Sequence, residues 1–175
     1  MLTRVRDVAC LAAIAAGVSA QNASLAFFGA PSGDTSSGQH LETTGAPQLG
    51  TTFTVGVGYA TPPFFCLQVL TPYVVWLTLG TSNQSWQGLP LPASLPLGFD
   101  LLASPDVVLQ SLVTSNTACP PGVSGPPLAP FAVPVPNQPG LIGLQVHAQI
   151  VMARVGAPNG APPIATDGVT ATVGL

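Results

Sequence analysis

Twenty prolines and nineteen glycines are spread through a chain of 175 residues. A proline inside a helix removes a backbone donor and clashes with the preceding turn, costing about 3 kcal/mol, and a helical glycine costs about 1 kcal/mol relative to alanine. At this density the helix is closed off as the main element, and what remains is a set of short extended runs joined by turns.

The apolar pattern agrees with that reading. Residues 51–59 place Phe53, Val55, Val57 and Tyr59 on one face and Thr52, Thr54, Gly56 and Gly58 on the other, the period of two that a half-buried strand requires. Residues 143–154 alternate in the same way, with Leu144, Val146, Ala148, Ile150 and Met152 expected inward and Gln145, His147 and Gln149 outward. Residues 169–175 set Val169, Ala171, Val173 and Leu175 against Thr170, Thr172 and Gly174. Further strands are expected at 64–70, 73–79 and 107–113, with less regular ones at 25–28, 101–103 and 129–135. The eight or nine strands predict an all-β fold, an antiparallel two-sheet β-sandwich of jelly-roll or immunoglobulin-like type. Prolines then belong in connections, strand starts and edge strands, Pro130 and Pro134 among them. The competing all-β answer is an outer-membrane barrel, whose strands of about 9 to 11 residues this proline density would interrupt.

Residues 1–20 read as an N-terminal signal helix. A short basic start (Arg4, Arg6) precedes an apolar run over 8–18, and small residues follow in Val18-Ser19-Ala20. The run is well short of the roughly 20 residues that span a bilayer, so cleavage between Ala20 and Gln21 is expected, leaving one domain over 21–175 without a transmembrane span. Cys10 leaves with the signal. Two cysteines remain, Cys66 and Cys119, and in an exported protein they read as a disulfide. Closing that loop would stabilise by about 4 kcal/mol on chain-entropy grounds. Two separate thiols are the alternative.

Charge narrows the function classes. Only 5% of residues are charged, against about 25% in ordinary domains. The cations are Arg4, Arg6 and Arg154, and there is no lysine, which excludes a basic nucleic-acid surface, a lysine Schiff base and a P-loop. The domain keeps one arginine against Asp34, Glu42, Asp100, Asp106 and Asp167, so its surface lacks the charges that usually blunt sheet edges.

Catalytic patterns are sparse. No serine sits in a G-x-S-x-G frame, and the two histidines, His40 and His147, carry no signature around them. His147 is expected on the solvent face of its strand. Asp34, Asp106 and Asp167 adjoin Ser, Pro or Gly and read as turn residues, and no D-x-D-x-D-G pattern points to a metal or other cofactor. Among aromatics, Trp86 lies in the polar stretch Thr81-Ser82-Asn83-Gln84-Ser85-Trp86-Gln87-Gly88 and is the candidate ligand contact, with Tyr59 and Tyr73 as possible companions, whereas Trp76 falls in an apolar strand. Asn22 and Asn83 open N-x-S/T sequons suited to exposed positions.

The stretch from Pro136-Asn137-Gln138-Pro139 through Leu141, Gly143 and Gln149 resembles the PNxPxLxGxxxxxQ segment of uncharacterised secreted β-rich domains common in planctomycetes and related environmental bacteria. Three further stretches are similar to that family in order: 45–55 to its opening strand, Gly88-Leu89-Pro90-Leu91-Pro92 to its central segment, and 166–174 to its closing strand. One departure is the lack of a cysteine at Gly98-Phe99-Asp100, before Ser104-Pro105-Asp106, so Cys66 and Cys119 need not pair as in relatives. The resemblance implies export and a sandwich-like fold and brings no catalytic residue with it.

These features lead to the expectation of a noncatalytic secreted or cell-surface module, structural or adhesive, whose partners are itself or other surface and matrix components. A polysaccharide-binding module using Trp86 is the alternative. A secreted hydrolase built on the aspartates or His147 comes third.

Overall fold

The computed structural model describes residues 21–33, 39–59, 71–115, 128–156 and 163–175. The signal segment with Cys10 and Ala20, the strand expected at 64–70, Asp34, and both Cys66 and Cys119 lie outside them.

The described chain is built of β-strands: β1 (Ser24–Phe28), β2 (Ser32–Gly33), β3 (Gln39–Thr44), β4 (Thr52–Tyr59), β5 (Thr71–Gly80), β6 (Ser85–Trp86), β7 (Leu89–Pro90), β8 (Ala93–Leu95), β9 (Phe99–Leu101), β10 (Val107–Ser115), β11 (Leu128–Pro134), β12 (Gln145–Arg154) and β13 (Ile164–Thr172). One 3₁₀ turn, Pro139–Leu141, is the only helical element among the described residues. The large sheet has the order β1-β13-β12-β5-β10, with β2 also pairing β13, and the small sheet has the order β11-β4-β3. Every strand pair is antiparallel.

The two sheets form a sandwich because each contributes one apolar face to a common core. Phe53, Val55 and Val57 of β4, Leu41 of β3 and Phe131 of β11 pack against Val75 and Leu77 of β5, Ala148, Ile150 and Met152 of β12, and Val169 and Ala171 of β13. Burial of each larger side chain contributes about 1.5–3 kcal/mol. The alternation expected over 51–59 is realised at Phe53, Val55 and Val57, with β4 central in its sheet. Its other face carries glycine for a local reason: a Cβ on Gly58 would meet the His40 ring and the Glu42 carboxylate, both lying across it from β3.

Prolines sit where a missing donor does least harm. Pro130 and Pro134 lie in the edge strand β11, whose register against β4 shifts between Leu128 and Phe131. Pro72 is the second residue of β5.

Several expectations about sidedness are corrected. Leu144 precedes β12 and is 42% exposed, and Leu175 is 58% exposed, so the first alternating run begins later and the last ends sooner than expected. Asp167 lies within β13 and not in a turn, and its Oδ1 accepts the Leu41 backbone N–H at 2.6 Å, tying the large sheet to the edge strand of the small one. His147 and Gln149, expected outward in solvent, are both buried. They do face away from the sandwich core, but residues 81–106 fold back over that face and give the large sheet a second cover.

Candidate functional site

The outer face of the large sheet divides into a covered half and an open half. The cover is the β8–β9 hairpin with the residues that follow it, 102–104; a second small hairpin, β6–β7, belongs to the same excursion. Gln149 pins the cover down: Oε1 accepts the Leu102 N–H at 2.9 Å, while Nε2 donates to the carbonyls of Asp100 and Thr166 at 2.9 and 3.0 Å. Beside this anchor, Phe99, Val151 and Ala165 form a second apolar cluster with Trp76 and Leu95 against it.

The ends of the excursion are held by hydroxyls and one carboxylate. Asp106 Oδ2 accepts from the Thr81 N–H at 2.8 Å, from Thr81 Oγ1 at 2.9 Å and from Ser104 Oγ at 3.1 Å. The bonds from Thr81, its backbone N–H first, hold the Asp106 carboxyl below the ordinary carboxylate range. Ser104 N–H donates to the Ser82 carbonyl, and Ser104 lies so close to β5 that a Cβ on Gly80 would run into its carbonyl oxygen and hydroxyl.

His147 belongs to this covered half. Its Nδ1 is 2.9 Å from Thr170 Oγ1, and its ring meets Phe28 of β1 edge-on with centroids 5.9 Å apart. Burial lowers its pKa from 6.5, favouring the neutral ring.

The open half is formed by β10 and the adjoining part of β5. Val108 and Leu112 on the outer face are 51% and 68% exposed, next to the half-buried Val74 and Trp76 of β5. Trp76 Nε1 donates to Gln110 Oε1 at 3.3 Å, which satisfies the indole while leaving its ring in the strip. Val107 and Leu109, on the other parity, are 52% and 38% exposed. Beyond β10 the large sheet has no further strand among the described residues. Among the described residues β10 is thus the outermost strand, nine residues in unbroken register with β5 that carry no charge, no proline and no bulge, the devices that ordinarily protect sheet edges.

Those residues singled out from sequence that are described are distributed over the fold and do not converge. Trp86 pairs with Leu89 in the β6–β7 hairpin, closed by Gln87 (φ 48°) and Gly88 (φ 85°), and is half-buried. Tyr73 packs against the sandwich core, and Tyr59 ends β4. Gln21 is described and accepts a hydrogen bond from the Leu175 N–H at 3.2 Å. His40, on β3 with the core residue Leu41 beside it, lies on the outer face of the small sheet, opposite the side of the sandwich that holds His147. No group of three or more metal-ligating side chains occurs among the described residues, and no described helix is long and apolar enough to cross a membrane.

Two features escaped sequence reasoning. Gln149 closes the stretch 136–149 and alternates there with Gln145 and His147, so the pattern alone does not separate the buried Gln149 from the exposed Gln145. The β10 edge had a clearer signal: the run Val107-Val108-Leu109-Gln110-Ser111-Leu112-Val113 lacks any charge on either face. No protein-family model, curated protein or solved structure matches this chain.

Proposed function

We propose that this chain is an exported, noncatalytic module of the cell surface or extracellular matrix, with a structural or adhesive role. The observation that carries the reading is the open β10 side of the large sheet, a long uncharged edge flanked by exposed Val108 and Leu112. A strand of this kind, with no neighbour on its far side among the described residues, is suited to protein contacts more than to chemistry. Four of the polar groups a hydrolase would draw on have structural partners: Asp106 clamps Thr81, Asp167 holds Leu41, Asp100 accepts from Ser94 Oγ at 2.6 Å, and His147 is packed against Phe28. The signal-like start and the resemblance of 136–149 to secreted β-rich domains support export.

The test is to express the full-length gene in a bacterial host, fractionate the cells, and characterise the purified protein by size-exclusion chromatography and negative-stain microscopy with and without reductant. Recovery outside the cytoplasm as defined oligomers or assemblies is expected. A processed or unprocessed monomer confined to the cytoplasm would overturn the reading.

A second reading is favoured by one observation. The β6–β7 hairpin presents half-buried Trp86 beside Gln84, Gln87 and the 49% exposed Leu89, a combination suited to stacking on a sugar ring. Under it, Trp86→Ala abolishes retention on immobilised polysaccharide, and unchanged retention removes the assignment.

A further inference from the structure

We infer that β10 pairs antiparallel with β10 of a second copy, about a two-fold axis at Ser111, so that the large sheets of two protomers join edge to edge. The inference rests on the structural reading above and specifies its partner.

The argument begins with the backbone. In an edge strand, alternate N–H and C=O groups point away from the sheet, and an extended peptide satisfies them best. As the outermost strand of the large sheet among the described residues, β10 offers this over nine residues in continuous register with β5, without an irregularity that would twist the edge away. A partner strand is therefore the class of occupant the edge fits.

A second copy fits for reasons of symmetry. A two-fold axis normal to the sheet keeps both small sheets on the same side, and it requires opposed residues to share a face, so the axis passes through a residue and not between two. Placing it at Ser111 opposes all nine residues: Leu109 meets Val113 of the other copy, Gln110 meets Leu112, and Ser111 meets itself. Moving the axis by one residue shortens the overlap and brings two glutamines or two leucines face to face on the axis. At Ser111 the residue that must meet its own image is small and uncharged.

The side chains reinforce this register. On the outer face, Val108 and Leu112 of each copy extend the strip begun by Val74 and Trp76, and Gln110 stays within reach of Trp76. On the other face, the exposed Leu109 gains an apolar neighbour. Residues 107–115 contain no ionisable group, so the reversed copy meets no like charge, the usual barrier to self-pairing. Because each protomer uses β10 once, the contact closes as a dimer and does not propagate.

The test uses the full-length chain expressed as above. Sedimentation equilibrium of the wild type should show a dimer, and Leu112→Lys and Val108→Lys should each weaken it by about tenfold or more. Both side chains are exposed in the protomer, so circular dichroism and thermal melting of the dilute variants should match the wild type. Independently, Ser111→Cys oxidised mildly should yield a 111–111 linked peptide by mass spectrometry, an identification that native cysteines cannot mimic. A wild type that stays monomeric at high concentration overturns the inference, while export from the cytoplasm would still be judged separately by fractionation. Oligomers that persist unchanged in both lysine variants, without the 111–111 peptide, overturn the β10 contact and leave self-association through another surface.

Discussion

Gln149 Oε1 accepts the Leu102 backbone N–H at 2.9 Å, joining a central strand of the large sheet to the excursion that covers it. With two donations from Nε2, the one amide uses all the hydrogen-bonding groups it has in that direction, and it does so fully buried. Leucine at this position would fill similar volume but leave the Leu102 N–H and the Asp100 and Thr166 carbonyls without their partner. A buried polar group stranded in this way costs about 1–3 kcal/mol, so Gln149→Leu should lower stability by about 3 kcal/mol or more. Urea unfolding followed by tryptophan fluorescence checks this, and a loss under about 1 kcal/mol would mean that the cover is not held by Gln149.

Asp167 performs the matching task on the opposite side of β13. Its Oδ1 receives the Leu41 N–H, so removal of the carboxylate leaves a strand donor facing the large sheet without an acceptor. Asp167→Ala should cost about 1.5–3 kcal/mol, as for a hydrogen bond to a charged acceptor, whereas Asp167→Asn retains an oxygen and should recover more than half of the loss. Equal destabilisation by both substitutions would show that charge, not acceptor geometry, matters here.

Both residues mark where sequence patterning and structure part. The core face of β4 was legible because a strand with one buried face alternates strictly, and Phe53, Val55 and Val57 obey that rule. Edge prolines were legible for the same kind of local reason, since Pro130 and Pro134 have no donor to give. β12 is different: Ala148, Ile150 and Met152 face the sandwich core while Gln149 and Val151 face the excursion and His147 lies on the same side against Phe28 and Thr170, so both sides are buried. Period-two reasoning assigns polar residues to solvent and cannot see a cover contributed by residues 81–106. Asp167 misled for a related reason, because an Asp-Gly pair usually marks a turn, whereas here its carboxylate substitutes for a strand partner.

Gly80 limits how closely that cover can approach. A Cβ there would collide with the Ser104 carbonyl, a backbone atom that cannot rotate away, so Gly80→Ala must push 102–106 off the sheet. Overpacking of this kind costs about 1–3 kcal/mol. The expected signature is faster amide exchange at Ser82 and Ser104, whose hydrogen bonds to each other are adjacent to the collision. Unchanged exchange at both positions would show that the loop has room to spare.

Between Gln87 and Gly88, both with positive φ, the β6–β7 hairpin turns in two residues. Asparagine tolerates the left-handed region better than glutamine because its short side chain bonds locally. Gln87→Asn should therefore stabilise the protein by about 0.3–1 kcal/mol, measured as a higher urea midpoint with the m-value unchanged. A decrease would indicate that the Gln87 side chain makes contacts worth more than its backbone strain.

His147 contributes to the pH response. Burial lowers its folded pKa below 6.5, so the unfolded chain takes up the proton first as pH falls. Above 6.5 the ring is neutral in both states and stability is unaffected; below 6.5 stability declines until the folded pKa is passed, and the loss is then complete. Asp106 shows the same sign in a lower window, because its carboxyl is held below 3.8 by Thr81: that contribution is present above 3.8 and disappears as pH falls through the folded value. Two separated declines are expected when melting temperature is followed from about pH 8 to about pH 2. His147→Gln, which keeps a hydrogen-bonding group near Thr170 Oγ1 without a titrating ring, should remove the upper decline and leave the lower one. If the upper decline survives in that variant, the titrating group lies elsewhere in the chain.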